Sequence, residues 1–355
     1  MRVLFDLCHP AHFHLFKHAI TALRRAGHQV EIVAHQKDCL PALLDGAGWS
    51  YRLVRRRRKG IVLLACEALR TLGLISAMGM RRRFDLMVGT SIAIGPAARL
   101  TGATSVVFCE DDARVVPLFA RPAYLTAHYV VTPRALAYEN HGRKHFTYPG
   151  YHELAYLHPN RFRPDRGVLD VLGVRPGERY FLLRLVAFRA HHDVGQKGLT
   201  LDQARQLVDR LKPHGRVFIS AEEDLPEDLR PLLLPTRVDQ VLDVVAQADL
   251  LAGDSQSMTM EAANLGTPSL RCNTLVGRLS VMQELEHRYG LTAGFRPEQW
   301  DCALGRIDQW LAMDNLKAEW QSRRRAMLAD CVDLTDWMLD LFTRLAQRGR
   351  PSPMP

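Results

Sequence analysis

The sequence predicts an α/β protein of two domains, each built on a parallel sheet. Three observations carry that expectation. Short apolar runs recur along both halves of the chain and alternate with segments of helical periodicity, as β-α-β units require. A length of 355 residues is long for one core and suits two cores of ordinary size. Hydrophobic residues make up 47 % and charged residues 24 %, a globular composition and not a disordered one.

Residues 3–7 form the first strand run, and Phe13, Phe16, Ile20 and Leu23 then mark one face of a helix ending near Gly27. A second strand is expected over 30–34, a short helix from Asp38 to near Gly46, and a third strand over 51–54. An apolar helix over 61–80 precedes a strand at 86–88, a helix from about Gly95, and strands at 104–108 and 129–132. The stretch 148–177 has several prolines and glycines and little periodicity. A first domain over 1–150 and a second over 179–330 are therefore expected on either side of a hinge at 151–178. The second alternation comprises a strand at 180–187, a helix at 201–211, a strand at 217–220, a helix near 238–248 and a strand at 250–251. A helix carrying Glu261 and a Gly266-Thr267-Pro268 exit into another strand follow. From Asp301 the pattern is helical, with Trp310, Trp320 and Trp337 spaced for packing, and 331–355 is read as a last helix and tail.

The formal charge of +9 is uneven. Arg55, Arg56, Arg57, Arg58 and Lys59, and then Arg81, Arg82 and Arg83, bracket the apolar helix; Glu67 and Arg70 interrupt it and argue against a membrane span. Such a helix can lie on an anionic membrane surface, or it can pack as a core helix with solvated arginines. No aromatic-rich single-strand platform or DNA-reading module accompanies the cations, so no nucleic-acid partner is expected. Seven scattered cysteines without a Cys-x-x-Cys pair fit a reducing compartment, with neither a disulfide framework nor a zinc site. The first residues run straight into a strand pattern with no secretory leader. A cytoplasmic protein is expected, able to associate with the inner face of the plasma membrane.

The most informative segment is Gly253-Asp254-Ser255-Gln256-Ser257, between a short buried strand and a helix. Ser255 or Ser257 can cap that helix. Its open N–H groups and dipole then face whatever sits above the turn, a cradle for phosphate or diphosphate. Glu261, four residues after Ser257, shares that face and can accept ribose hydroxyls. The plainer alternative is an ordinary capped turn with Glu261 in solvent.

In the first half, the loop after the first strand holds His9, His12 and His14. His9 and His12 suit a general base for an acceptor hydroxyl, because imidazole titrates near working pH. Structural capping is the alternative; the spacing is not that of a zinc-binding helix face, so no metal is expected. Val88-Gly89-Thr90-Ser91 places hydroxyls at another strand end, as a cleft lining or a helix cap. Glu110, Asp111 and Asp112 crowd after a strand, where mutual repulsion raises proton affinity and suits acid–base work; solvated loop acids are the other reading. After the strand at 180–187 come Arg189, His191, His192, Asp193 and Lys197. Arg189 and Lys197 can offset the charge of a departing diphosphate. Arg184, within the strand, reads as a buried and paired structural arginine.

The Gly253–Ser257 turn with Glu261-Ala262 resembles the donor-binding segment of GT-B glycosyltransferases and the related UDP-N-acetylglucosamine 2-epimerases. The amino end, Phe5-Asp6-Leu7-Cys8-His9-Pro10-Ala11-His12, resembles a bacterial and archaeal family of unknown function usually placed in that superfamily. The resemblance spans roughly residues 1–335. It implies a GT-B-like fold, two Rossmann-like domains facing across a cleft, with the last helix crossing back onto the first domain. The implied activity is transfer of a sugar from a nucleoside-diphosphate donor, UDP-linked, to a polysaccharide or lipid-linked acceptor, with no cofactor or metal. Donor contacts then fall to Arg189, His191, Lys197, Gly253, Asp254, Ser255, Gln256, Ser257 and Glu261, and catalysis to His9, His12 and Glu110. A 2-epimerase is the first alternative, since those enzymes carry a catalytic glutamate at the strand end matching Glu110. The glycine and arginine that follow it there are Asp111 and Asp112 here, a departure that weakens this alternative. A non-catalytic nucleotide-sugar-binding protein is the second.

Overall fold

The structure, a computed structural model, describes residues 1–55, 61–186 and 198–348. The chain divides into two compact units: Met1–Arg161 joined by Cys331–Pro355, and Phe162–Asp330.

The first unit runs β1 (Arg2–Leu7), α1 (Pro10–Arg25), β2 (Gln29–His35), α2 (Leu40–Gly46), β3 (Arg52–Val54), α3 (Ile61–Arg82), β4 (Leu86–Gly89), α4 (Ile94–Thr101), β5 (Thr104–Phe108), α5 (Pro117–Thr126), β6 (Tyr129–Pro133), β7 (His145–Tyr148) and α6 (Leu154–Leu157). Its seven strands are all parallel in the order β3-β2-β1-β4-β5-β6-β7. Sheets covered on both faces need nearly continuous apolar strands. Accordingly Val3, Leu4, Phe5 and Leu7 are fully buried, as are Val106, Val107 and Phe108. The strand order reverses between β1 and β4. There the backbones approach so closely that a Cβ on Gly89 would lie 2.5 Å from the Asp6 carbonyl oxygen. Pro10 stands in the first turn of α1, where its missing N–H costs nothing, and Arg24 and Arg25 complement the dipole at the other end.

From Thr71 onward α3 is a core helix. Thr71, Ile75 and Met78 are buried, the last two in one cluster with Ile94, Ala97 and Ala98 of α4 and Ala120, Ala123 and Tyr124 of α5. Leu69 and Met80 remain exposed. The basic residues Arg56, Arg57, Arg58 and Lys59 lie outside the described residues. Among the described residues, no helix is long and apolar enough to cross a membrane. The boundary between the two units, between Arg161 and Phe162, falls inside the stretch expected as a hinge, 151–178. Tyr151, Leu154, Ala155, Tyr156 and Leu157 are buried in the first unit, and Val168, Leu172 and Val174 in the second. Its prolines and glycines flank the short helices Leu154–Leu157 and Val168–Leu172.

The second unit comprises α7 (Val168–Leu172), β8 (Tyr180–Leu185), α8 (Leu201–Leu211), β9 (Arg216–Ala221), α9 (Val241–Gln247), β10 (Leu250–Gly253), α10 (Gln256–Leu265), β11 (Ser269–Cys272), α11 (Ser280–Gln283), β12 (Thr292–Phe295), α12 (Trp300–Leu311) and α13 (Leu316–Ala329). Five parallel strands lie in the order β12-β11-β10-β8-β9. Thr200 caps α8 in a reciprocal capping box with Gln203. A last helix, α14 (Leu334–Arg348), returns to the first unit. Its Phe342 ring meets Phe5 and Phe108 at 6.1 and 6.3 Å, and Thr335 donates a 2.8 Å hydrogen bond to the Ala155 carbonyl.

Candidate functional site

Open parallel sheets bind ligands beyond the carboxyl ends of their strands, at the point where strand order reverses. In the second unit that point lies between β8 and β10, whose register pairs Gly253 with Arg184. A Cβ on Gly253 would stand 2.2 Å from the Arg184 carbonyl oxygen, so only glycine lets β10 close against β8. Asp254 follows with its carboxylate turned inward, 2 % exposed. It accepts hydrogen bonds from the N–H of Val186 at 2.8 Å and of Leu199 at 3.0 Å, one on each side of segment 187–197. The Asn273 side chain holds the Asp254 carbonyl at 2.8 Å. Asp254 therefore ties the turn together.

Ser255 is the helix cap, its Oγ accepting the Met258 N–H at 3.3 Å, while Ser257 is exposed. The N–H groups of Gln256 and Ser257, first in α10, find no acceptor among the described residues. Helix geometry leaves such groups pointing out of the end, with the positive pole behind them. Glu261 is half-buried on the face shared with Ser257. Arg184 is held as expected, by Glu222 at 2.5 Å and by the Ser220 hydroxyl at 2.9 Å. Arg189, His191 and Lys197 lie outside the described residues.

One residue here escaped the sequence reading. Arg271, in β11, is 1 % exposed and donates to the Gln256 side chain at the mouth of α10. Its Nε makes no hydrogen bond. Burial lowers its pKa to about 10 despite the charge of Glu286 nearby. A fully buried guanidinium beside a helix N-terminus adds positive charge to the pole that the helix dipole already places there.

Burial also raises the Asp254 carboxyl from its ordinary 3.8 to about 6, although the Leu199 and Val186 N–H groups and the Arg184 charge pull it down. The folded chain thus keeps a proton between those values that the unfolded chain has lost. Unfolding free energy should fall by up to about 3 kcal/mol as pH rises from about 4 to about 6, and this contribution should be flat above. Comparing the pH dependence of chemical denaturation in the native protein and Asp254→Asn isolates the effect; identical slopes would contradict it.

In the first unit the reversal lies between β1 and β4. His9 caps α1 through Nδ1, which accepts the Ala11 N–H at 3.2 Å, and its Nε2 lies 3.9 Å from Asp38. His12 Nδ1 accepts the Cys8 N–H at 3.1 Å, and the Thr90 hydroxyl lies 2.6 Å from the same nitrogen. That bond assigns the proton to Nε2. Burial, then the neighbouring His9 and His152, holds the His12 pKa well below the usual histidine range. His12 is therefore a neutral imidazole whose basic nitrogen is already engaged. It serves to position the loop, and its Nε2 also lies within 3.0 Å of the Thr90 hydroxyl.

Glu110, at the end of β5, stands differently. Its Oε2 lies 3.4 Å from Nδ1 of His152, yet neither that oxygen nor Nε2 of His152 makes a hydrogen bond. Asp111 is raised to about 6 by burial and by the charge of Glu110, while Asp112 is bound by Tyr138 and lies 3.3 Å from Arg114. Glu110 thus places a buried carboxylate oxygen beside a histidine nitrogen, close enough for charge pairing but without a hydrogen bond. His152 was missed because it sits in the stretch read as hinge.

No protein-family model matches the sequence, and no curated protein matches it. Several solved structures share its fold. A UDP-N-acetylglucosamine 2-epimerase aligns with a TM-score of 0.68 at 16 % identity, covering 100 % of this chain and 98 % of that one. The calicheamicin glycosyltransferase CalG4 gives 0.62 at 14 %, covering 99 % and 100 %. The glycosyltransferase VinC, solved in complex with DTDP, gives 0.59 at 14 %, covering 98 % and 100 %. At such identities the likeness is one of fold: two Rossmann-like parallel-sheet domains of the GT-B type.

Proposed function

We propose that the chain is a GT-B-type glycosyltransferase that takes a sugar from a nucleoside-diphosphate donor, UDP-linked, in the cytoplasm. The observation that carries this reading is the mouth of α10. Two backbone N–H groups, the Ser255 cap and the buried Arg271 together offer an oriented, dehydrated positive surface matched to a diphosphate. Helix pole and cation stabilise the departing diphosphate electrostatically without a metal. Glu261 is assigned to the ribose hydroxyls, and Arg189, His191 and Lys197 to the donor phosphates and sugar. Gly253 and Asp254 shape the turn, Gln256 and Ser257 supply backbone donors, and acid–base work in the first unit falls to Glu110 with His152, while His9 and His12 order the β1 loop. An acceptor carried on an envelope glycan or lipid is supported by the exposed Leu69 and Met80 of α3 beside Arg81, Arg82 and Arg83 at the helix end.

A panel of uridine, thymidine, guanosine and cytidine diphosphate sugars, assayed for nucleoside diphosphate release with and without glycan acceptors, tests the reading. Release is expected with the uridine donors and reduced by Glu261→Ala. No release from any donor, or an unaffected variant, would count against it. The buried Glu110 oxygen beside His152 also favours a second reading, epimerisation at the sugar's second carbon. Turnover in heavy water separates the two, since only an epimerase incorporates deuterium into the sugar.

A further inference from the structure

Three side chains at the start of the first unit's strand-order reversal share a feature that the proposed transfer reaction leaves unused. Asp6 is fully buried near the end of β1, and Cys8 follows two residues later. Strand register pairs Leu7 with Ala34, so Cys8 comes opposite His35, the last residue of β2. His35 Nε2 lies 3.2 Å from Asp6 Oδ1, Cys8 Sγ lies 3.9 Å from that oxygen, and all three donor atoms fall within 4.8 Å of one another. His35 is 7 % exposed, and its Nε2 is buried without a hydrogen bond despite that closeness.

We propose that Asp6, Cys8 and His35 form a binding site for one zinc-like divalent cation. Carboxylate, thiolate and imidazole are a zinc donor set, and tetrahedral coordination at ordinary bond lengths spaces such atoms about 3.3–3.6 Å apart. Small side-chain adjustments bring the observed trio to that spacing. The surroundings fit as well. His35 Nδ1 lies 3.0 Å from Glu67 Oε1, the carboxylate–histidine–metal arrangement that fixes the ring and its tautomer. The Ser91 hydroxyl donates to the second Asp6 oxygen at 2.5 Å and orients that ligand. Three protein ligands leave a fourth position open, to water or to a substrate hydroxyl. No metal was expected from the sequence, because the ligands come from two strand ends whose adjacency the sequence does not display.

Chelator-treated full-length protein titrated with cobalt(II) provides the test. One equivalent per chain should produce a thiolate-to-cobalt charge-transfer band in the near ultraviolet, displaced by zinc. Cys8→Ser should remove the band, and Glu67→Gln should weaken zinc binding about 10–100-fold. Circular dichroism would confirm that both variants fold. In the unmodified protein, zinc should protect Cys8 from alkylation as read by peptide mass spectrometry, a readout independent of any variant. Absence of a band, a band that survives Cys8→Ser, or equal alkylation with and without zinc would overturn the proposal, leaving His35 held between the Asp6 and Glu67 carboxylates.

Discussion

Glu110→Gln should lower turnover about 10²–10⁴-fold, the usual contribution of a positioned acid–base group, while nucleotide affinity stays close to that of the native protein. His12 holds the Cys8 N–H with its basic nitrogen and His9 caps α1, so using either as a base would dismantle the loop that carries it. Glu110 faces His152 across 3.4 Å with an oxygen that accepts no hydrogen bond. Glutamine keeps the shape and removes the proton-accepting charge. Steady-state kinetics together with calorimetric titration of the nucleotide check the split. A variant with full turnover would move the chemistry elsewhere, and a collapse of affinity alone would make Glu110 a binding residue. His152→Gln, with loss of turnover and a displaced pH profile, should show the histidine acting through Glu110.

Arg271→Met should weaken nucleoside diphosphate binding about 10–100-fold, the loss expected for hydrogen bonds to a charged group worth about 1.5–3 kcal/mol. The fold should not suffer in proportion. Burying a guanidinium with one nitrogen unpaired and a depressed pKa is itself costly, and an apolar side chain of similar length relieves that cost. The melting midpoint of the free protein should hold or rise, while the upward shift on adding UDP shrinks. Unchanged affinity would mean that the arginine serves only Gln256 and Glu286. A large fall in the free protein's midpoint would make it a structural residue.

Much of the architecture was legible because buried parallel strands announce themselves as unbroken apolar runs, and because Gly253, Ser255 and Gly266 are turn and cap residues with a physical reason to stand where they do. The β7 and β12 strands were missed. Both lie at sheet edges, where Thr and His replace continuous apolar sequence, as in His145-Phe146-Thr147-Tyr148. The α5 helix was also missed, since Pro117 and Pro122 read as breakers although one begins the helix and the other is absorbed within it. At the sites, the turn before α10 followed from local chemistry. Arg271 and the Asp6–Cys8–His35 trio did not, because each depends on which strands are neighbours, and His152 did not, because it falls in the stretch read as a hinge. Asp254 was read as a ligand contact, but its carboxylate is bound to the Val186 and Leu199 backbone, a role invisible until those residues are brought to it.

A crystal of the protein grown with UDP tests the central claim most directly. The account predicts the diphosphate within hydrogen-bonding distance of the Gln256 and Ser257 N–H groups and the Ser255 hydroxyl, with Arg271 reaching a phosphoryl oxygen and Glu261 a ribose hydroxyl. A nucleotide bound away from the α10 N-terminus, or turned so that its base and not its phosphates meets that turn, would contradict it.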